Sequence, residues 1–390
     1  MRRILLLLCV LVTACSSGHA AGGGELQFVS SFEGGNLYRA GQVSVVQLRG
    51  TYRQMGRQYG RLLQSELRDL YDRAITGYFI GKSGYTMNHL KTVAHAVFDV
   101  YPQRYKEILY GMAETSGLTR EEQIILNGLE WFPKMKTSGS RCSGIAVWGD
   151  YTKDGPLLFG RNNDDSSFYR QFAQTMVIAV YNPTDSSVPT AIVNYPGVMY
   201  AVNGINREGL FLELNSGNFT GFVTNRLSIF TTLFSFLQDF PAIDSLEPAF
   251  QSTRTDFASI INVADANKSY SYECPTSDVK RRTEDRPGLL VATNHFVDPS
   301  WGIPPPDDAA NGLTVTRRNN LLSLAEKYKG AFDISRMKAV LDTTIPDGGA
   351  TQPEETIYQI IAVPKELTLW IKAPGNFDWQ RADLRGLFDR

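Results

Sequence analysis

A chain of 390 residues, 43% hydrophobic and 20% charged, carries enough apolar material for a globular body of one large or two ordinary domains. Its formal net charge is −1, with acidic and basic residues mixed along the chain. That leaves no basic stripe for nucleic acid and no acidic tail, so bulk charge selects no partner.

The first twenty-odd residues read as an export signal. Met1-Arg2-Arg3 is positive, and residues 4–12 form an apolar run too short to span a bilayer. Leu11-Val12-Thr13-Ala14-Cys15 then resembles a bacterial lipobox, with Cys15 as the lipidated residue and new N-terminus. The alternative is an ordinary signal peptide cut near Gly18-His19-Ala20. Residues 16–24 read as a flexible tether. The expectation is a soluble body held at the bacterial cell envelope through a lipid on Cys15.

Residues 42–48 alternate and predict a strand. Gly50-Thr51 then opens a helix along which Met55, Tyr59, Leu62, Leu63, Leu67 and Leu70 recur at helical spacing. Gly56 and Gly60 lie one turn apart on it, where missing side chains permit close packing. Further helices are predicted over 88–112 and 119–129, the second opened by a Thr-x-x-Glu capping pattern. Residues 25–141 therefore read as a mainly helical segment. Beyond it the pattern turns to strands at 143–149, 156–160, 175–181 and 190–195, separated by polar turns. Segments 199–203 and 210–215 flank a hairpin turn. Helices are predicted at 227–237, 255–265, 319–328 and 334–341, and strands at 269–274, 288–293, 356–363 and 367–373. Grouped strands and helices give an α+β class. The loops 275–287 and 298–312 read as connectors or as covers for a site.

Cys9 and Cys15 belong to the export segment, leaving Cys142 and Cys274 in the body. They form one disulfide, or Cys142 is used chemically while Cys274 is a small buried or loop residue. No His, Cys and Asp cluster has zinc-like spacing, and no Gly-rich turn suits a phosphate, so neither metal nor cofactor is expected. A thiol needs a base. In an intact chain His295 is a papain-like candidate, although the sequence around Cys142 lacks that signature. If the bond before Cys142 is broken, the freed α-amine, with a reference pKa of about 7.7–8.0 against about 8.5 for the thiol, serves instead.

Ordered motifs bear on that choice. They are Arg141-Cys142-Ser143-Gly144, the Gly-Arg-Asn-Asn-Asp run at 160–164, Asn-Arg-Glu-Gly-Leu at 206–210 and Thr-Asn-His-Phe at 293–296. Thr-Val-Thr-Arg at 314–317, Leu-Thr-Leu-Trp at 367–370 and the glycine-containing helix at 55–60 complete the set. Together they resemble the N-terminal nucleophile hydrolases of the penicillin acyltransferase and choloylglycine hydrolase type. The resemblance implies an αββα four-layer sandwich and cleavage between Arg141 and Cys142, giving a small chain (25–141) and a catalytic chain (142–390). It implies Cys142 as nucleophile, Asp164 holding the α-amine, and Arg161 biasing the thiol toward its anion. Asn294 and Asn215 match oxyanion positions, and Arg317 the arginine that braces the network. Arg141 departs from the small residue that often precedes the cysteine in self-cleaving members.

Taken alone, these residues keep plainer readings. Arg161 and Asp164 suit a surface ion pair, Asn215 a turn, and Asn294 a strand end. Arg317 and Arg318 are interchangeable as solvated helix-start residues, and His295 suits a structural hydrogen bond. The expected function is an exported amidohydrolase or acyltransferase acting on a small-molecule N-acyl amide. N-acyl amino acids, acyl-homoserine lactones, β-lactam side chains, bile-salt conjugates and lipid amides are the candidate classes. The alternatives are a non-catalytic lipoprotein that keeps the fold to bind a ligand, and a papain-like peptidase.

Overall fold

The computed structural model describes residues 26–129, 131–134, 141–217, 223 and 226–389. The export signal, Cys15 and the tether lie outside them. Three antiparallel strands come first: β1 (Gln27–Phe32), β2 (Gly35–Ala40) and β3 (Val43–Gly50). Only β3 is visible in the sequence pattern. Thr51 and Gln54 form a capping box that opens α1 (Tyr52–Leu62), followed by α2 (Gln64–Leu70), which runs into a π-helical stretch over Tyr71–Ile80. The single helix expected over 88–112 is two, α3 (Met87–Asp99) and α4 (Gln103–Thr115). Pro102 has no N–H to donate into a continuing helix, and the chain breaks there. Next come α5 (Arg120–Asn127), opened by a Thr119–Glu122 capping box, and α6 (Trp131–Lys134).

The second half begins with β4 (Ser143–Val147), β5 (Leu158–Asp164), β6 (Val177–Pro183) and β7 (Thr190–Asn194). The hairpin lies slightly later than expected, between β8 (Asn203–Asn206) and β9 (Phe211–Ser216), with Gly209 at φ +85° in its turn. Then follow α7 (Ile229–Asp239), α8 (Ile243–Ser252), β10 (Ser259–Ala264), β11 (Ser269–Cys274), β12 (Lys280–Arg282) and β13 (Leu289–Ala292). The helix expected over 255–265 is therefore wrong. The strand there is buried on both faces, so its apolar residues do not alternate, and only its Ile and Val content marked it as a strand. The chain ends with α9 (Thr314–Lys327), α10 (Ile334–Asp342), β14 (Thr356–Val363), β15 (Thr368–Ala373) and β16 (Phe377–Asp383).

Two sheets result. One has ten strands in the order β1-β2-β3-β6-β7-β8-β9-β10-β11-β12, the other six in the order β13-β4-β5-β14-β15-β16. Every pairing is antiparallel except β3 with β6. The outer face of the ten-stranded sheet carries α1 over β2 and β3 and α7 over β7 to β9. On the other sheet, α9 covers β4 and β13 while α10 covers β5 and β14. The architecture is an αββα sandwich. Because β3 pairs with β6, residues before Cys142 share a sheet with residues after it.

Strand alternation decides what lies between the sheets. Ile145 and Val147 of β4 and Leu158 of β5 pack outward against Met337 and Leu341 of α10 and Leu321 of α9. Phe159 points inward instead, its ring 5.1 Å from that of Phe211 in the facing sheet. By the same two-residue period Arg161 and Asn163 on β5, and Glu213 and Asn215 on β9, face the interior. Among the described residues no helix is long and apolar enough to cross a membrane.

The glycines of α1 serve close packing. A Cβ on Gly56 would lie 2.1 Å from the Ile108 carbonyl oxygen of α4, and one on Gly60 would lie 2.5 Å from that of Met112. Replacing Gly56 by Ala therefore forces the helices apart. The overpacking cost of about 1–3 kcal/mol outweighs the helix-propensity gain of at most about 1 kcal/mol. Gly56→Ala should unfold at lower urea concentration than the parent, whereas Gly84→Ala, which meets no neighbour, should lose only what its positive φ costs.

Candidate active site

Cys142 precedes β4 and is buried between the sheets. Its thiol is within hydrogen-bonding reach of the Asn163 side-chain oxygen at 3.7 Å and the Asp164 carbonyl at 3.8 Å. Arg161 Nη2 donates to Sγ at 3.5 Å and to Asn163 Oδ1 at 2.8 Å. The guanidinium reaches the sulfur because β5 pairs with the strand that follows Cys142, with Gly144 opposite Arg161. The other nitrogen of Arg161 forms an ion pair with Glu213 and donates to Asn215 Oδ1 at 3.4 Å. Arg161 and Glu213 are both fully buried. Glu213 also accepts from Asn262 Nδ2, its register partner on β10.

A second guanidinium sits on the backbone at 141–142. Arg317 Nη1 donates to the carbonyl oxygen of Arg141 at 2.7 Å and to that of Cys142 at 2.9 Å. Its Nη2 donates to Asn294 Oδ1 at 2.7 Å, its Nε to the Gly312 carbonyl at 2.8 Å, and Asp164 lies 3.7 Å away. This placement depends on where α9 begins. The helix starts at Thr314, five residues before the expected position, so Arg317 falls in its first turn and is fully buried. Asp308 fixes that start by accepting from the Val315 and Thr316 amides at 2.7 and 3.0 Å. Arg318 instead pairs with Asp285, which separates the two arginines that the sequence leaves interchangeable.

Asn294 Nδ2 donates to the Ser216 carbonyl at 2.8 Å, tying the end of β13 to the end of β9. Asn215 Nδ2 points at the Ala292 carbonyl, 3.5 Å away. Cys142, Arg161, Asp164, Asn215, Asn294 and Arg317 are thus brought into one connected cluster. Arg161 and Asp164 are buried and are not a surface ion pair, and Asn215 lies in β9, not in a turn.

Burial raises the Asp164 carboxyl to about 6, against the opposing pull of Arg317 and of the hydrogen bond from Thr356 Oγ1 at 2.7 Å. Burial likewise lowers His295, with Arg318 adding to the effect, to about 4. Its Nδ1 lies 3.0 Å from Thr314 Oγ1 and 3.3 Å from Thr293 Oγ1, which suits a neutral structural ring and not the base of a papain-like pair. Cys142 and Cys274 are not joined in a disulfide, and burial pushes the Cys274 thiol far up. Among the described residues no three His, Cys, Asp or Glu side chains gather as a metal site.

Sequence reading missed Glu213, Asn163, Thr356 and Asp308. Asn163 falls in the Gly-Arg-Asn-Asn-Asp run, where the resemblance gives a role only to Arg161 and Asp164. Glu213, in Phe-Leu-Glu-Leu-Asn, looks like the solvent face of an amphipathic strand. A separate cavity of about 330 Å³ lies beside α3 and Trp131, with Val93, Val97, Val223, Arg226 and Asp256 on its walls. The clustered residues do not line it.

No family model matches the sequence, and neither does any curated protein. Among solved structures the chain is similar to an N-acylethanolamine-hydrolyzing acid amidase ortholog from Caenorhabditis elegans. The TM-score is 0.44 at 18% identity, covering 57% of this chain and 93% of that one. A mutant conjugated bile acid hydrolase from Clostridium perfringens matches at TM-score 0.44 and 13% identity, over 63% of this chain and 93% of that one. Penicillin V acylase from Agrobacterium tumefaciens matches at TM-score 0.44 and 12% identity, over 64% and 88%.

Two stability measurements test this geometry in an undivided Cys142→Ala chain. Glu213→Gln leaves Arg161 as an uncompensated buried cation and should cost about 3–5 kcal/mol in urea unfolding. Arg161→Met combined with Glu213→Leu should recover most of that loss. For Asp164, the unfolded carboxyl titrates near 3.8 and the folded one near 6. Between those values the folded chain holds a proton that the unfolded chain releases, so stability is lost as pH rises through the window. The loss should approach about 3 kcal/mol, and Asp164→Asn should abolish it.

Proposed function

We propose that the chain is an amidohydrolase or acyltransferase that cleaves linear N-acyl amides with an N-terminal cysteine made by scission of the Arg141–Cys142 bond. The observation that carries this reading is the pair of guanidiniums bracketing that bond. Arg161 donates to the sulfur, and Arg317 donates to the carbonyl oxygen on which charge would develop. In scission the Cys142 sulfur attacks the Arg141 carbonyl carbon, the C–N bond breaks, and the thiol proton passes to the departing nitrogen. Water then cleaves the resulting thioester, leaving an Arg141 carboxylate, a Cys142 thiol and a Cys142 α-amine. The parallel β3–β6 pair keeps the two pieces in one sheet.

In turnover the α-amine takes the thiol proton and later gives it to the leaving amine. Arg161 favours the thiolate, Asp164 holds the ammonium, and the Asn215 and Asn294 amides serve the oxyanion. Arg317 braces Asn294 through its side-chain oxygen. A water or an acceptor amine releases the acyl group. The reading includes export and tethering to the cell envelope through Cys15.

Intact mass of the purified protein should show two pieces, the second beginning at Cys142. Cys142→Ala should remain one chain and hydrolyse no member of a panel of N-acyl amides graded in acyl length. An undivided wild type that turns over the panel at full rate, or activity surviving in Cys142→Ala, would sink the proposal.

A further inference from the structure

The residue before the cysteine is large, flexible and charged, yet it is held at three separate points. Its backbone N–H donates to the Asp164 carbonyl at 3.1 Å, on the strand that carries Arg161. Its carbonyl accepts from Arg317. Its guanidinium pairs with Glu355, Nη1 donating to both carboxylate oxygens at 2.6 and 2.7 Å. Glu355 is itself tied to the same strand end, since its carbonyl accepts from the Asp165 amide at 2.9 Å. Gly312 completes the seat: it has φ +64°, and a Cβ there would lie 2.4 Å from Arg141 Cδ. The same glycine's carbonyl accepts from Arg317 Nε. Side-chain seat and carbonyl clamp therefore share one residue.

We infer that Glu355, with Gly312, is a built receptor for the Arg141 side chain, which positions the scissile carbonyl for self-cleavage. Glu355 is thus a positioning residue for maturation and not for turnover of external substrate. The inference rests on the proposed scission at Arg141–Cys142. It also accounts for an arginine where a small residue is common. A long side chain without a seat would leave the preceding backbone free to rotate the carbonyl away from Sγ. Here the seat turns that length into a lever that fixes the carbonyl against Arg317. The Arg141–Glu355 pair is partly exposed, with 43% and 33% of the two side chains open to solvent. A pair of this kind contributes little to global stability. Its consequence is geometric, and a displacement of about 1 Å at a reacting centre costs on the order of 10²-fold in rate.

The test follows division of the full-length chain by intact mass after translation is stopped, with thermal melting and turnover per labelled Cys142 thiol measured alongside. Glu355→Gln should slow appearance of the two pieces about tenfold or more, with an unchanged melting temperature. Once divided, it should turn over the best N-acyl amide at the parent rate per thiol. Arg141→Gln should slow division to a similar degree, and the double variant no further. A Glu355→Gln chain that divides as fast as a dividing wild type overturns the receptor and leaves the proposed function standing. So does slow division accompanied by an equal fall in turnover per thiol, which marks a general disturbance of the site. A wild type that never divides overturns both.

Discussion

The buried ion pair between Arg161 and Glu213 is the constraint on which the site depends. Taking two charges from water into a sandwich interior costs several kcal/mol each, and only close mutual contact with added hydrogen bonds offsets it. The contacts are present. Arg161 also reaches Asn163, Asn215 and the sulfur, and Glu213 also accepts from Asn262. The pair joins β5 of one sheet to β9 of the other, so it fixes their spacing where Cys142 enters. A guanidinium held this way cannot swing out to solvent. The sulfur beside it therefore keeps a guanidinium N–H donor 3.5 Å away.

Below this pair the interface is ordinary. Phe159 meets Phe211 two residues earlier on each strand, and the interior there is aromatic. The change from apolar to polar along both strands occurs in step, Phe159-Arg161-Asn163 against Phe211-Glu213-Asn215. One end of the sandwich is thus a packed apolar core and the other a buried cluster of charged and polar side chains, without any break in the strands. Loops supply the remaining members: Asn294 follows β13, and Arg317 opens a helix whose first amides are held by Asp308. Strands set the thiol and its cation, while capped loop ends set the groups around the backbone carbonyl.

That division also explains what could be read from the sequence. Cys142, Arg161, Asp164, Asn294 and Arg317 lie in short ordered motifs, and those motifs carried the αββα expectation. Glu213 lies in a strand with polar residues at alternate positions, a pattern identical to a solvated face. Only knowledge that a second sheet covers that face reveals its role. The same ambiguity, inverted, turned β10 into a helix, because a strand covered on both sides loses its alternation. Strand β1 is largely exposed, Phe28 and Val29 included, and β2 mixes buried and half-buried residues, so hydrophobic pattern could not mark either. The α9 start was missed because its capping residue, Asp308, comes from a loop six residues upstream and not from the position next to the helix.

The balance of charge bears on how a site assembled in an undivided chain would serve a divided one. Arg161 and Arg317 face Glu213 and Asp164, two cations against two carboxylates once Asp164 is ionised. On the proposed reading, scission at Arg141–Cys142 and proton transfer from sulfur to nitrogen would add a thiolate, an ammonium and the Arg141 carboxylate, the last on the carbonyl that Arg317 already holds. Each new charge would arise beside an existing opposite one, the thiolate at Arg161, the carboxylate at Arg317 and the ammonium at Asp164. A new cation near Asp164 would oppose the burial that raises its carboxyl, favouring the ionised form once the bond is cut. On that reading the undivided chain holds Asp164 in an environment that an ammonium would relieve without requiring the sheets to move.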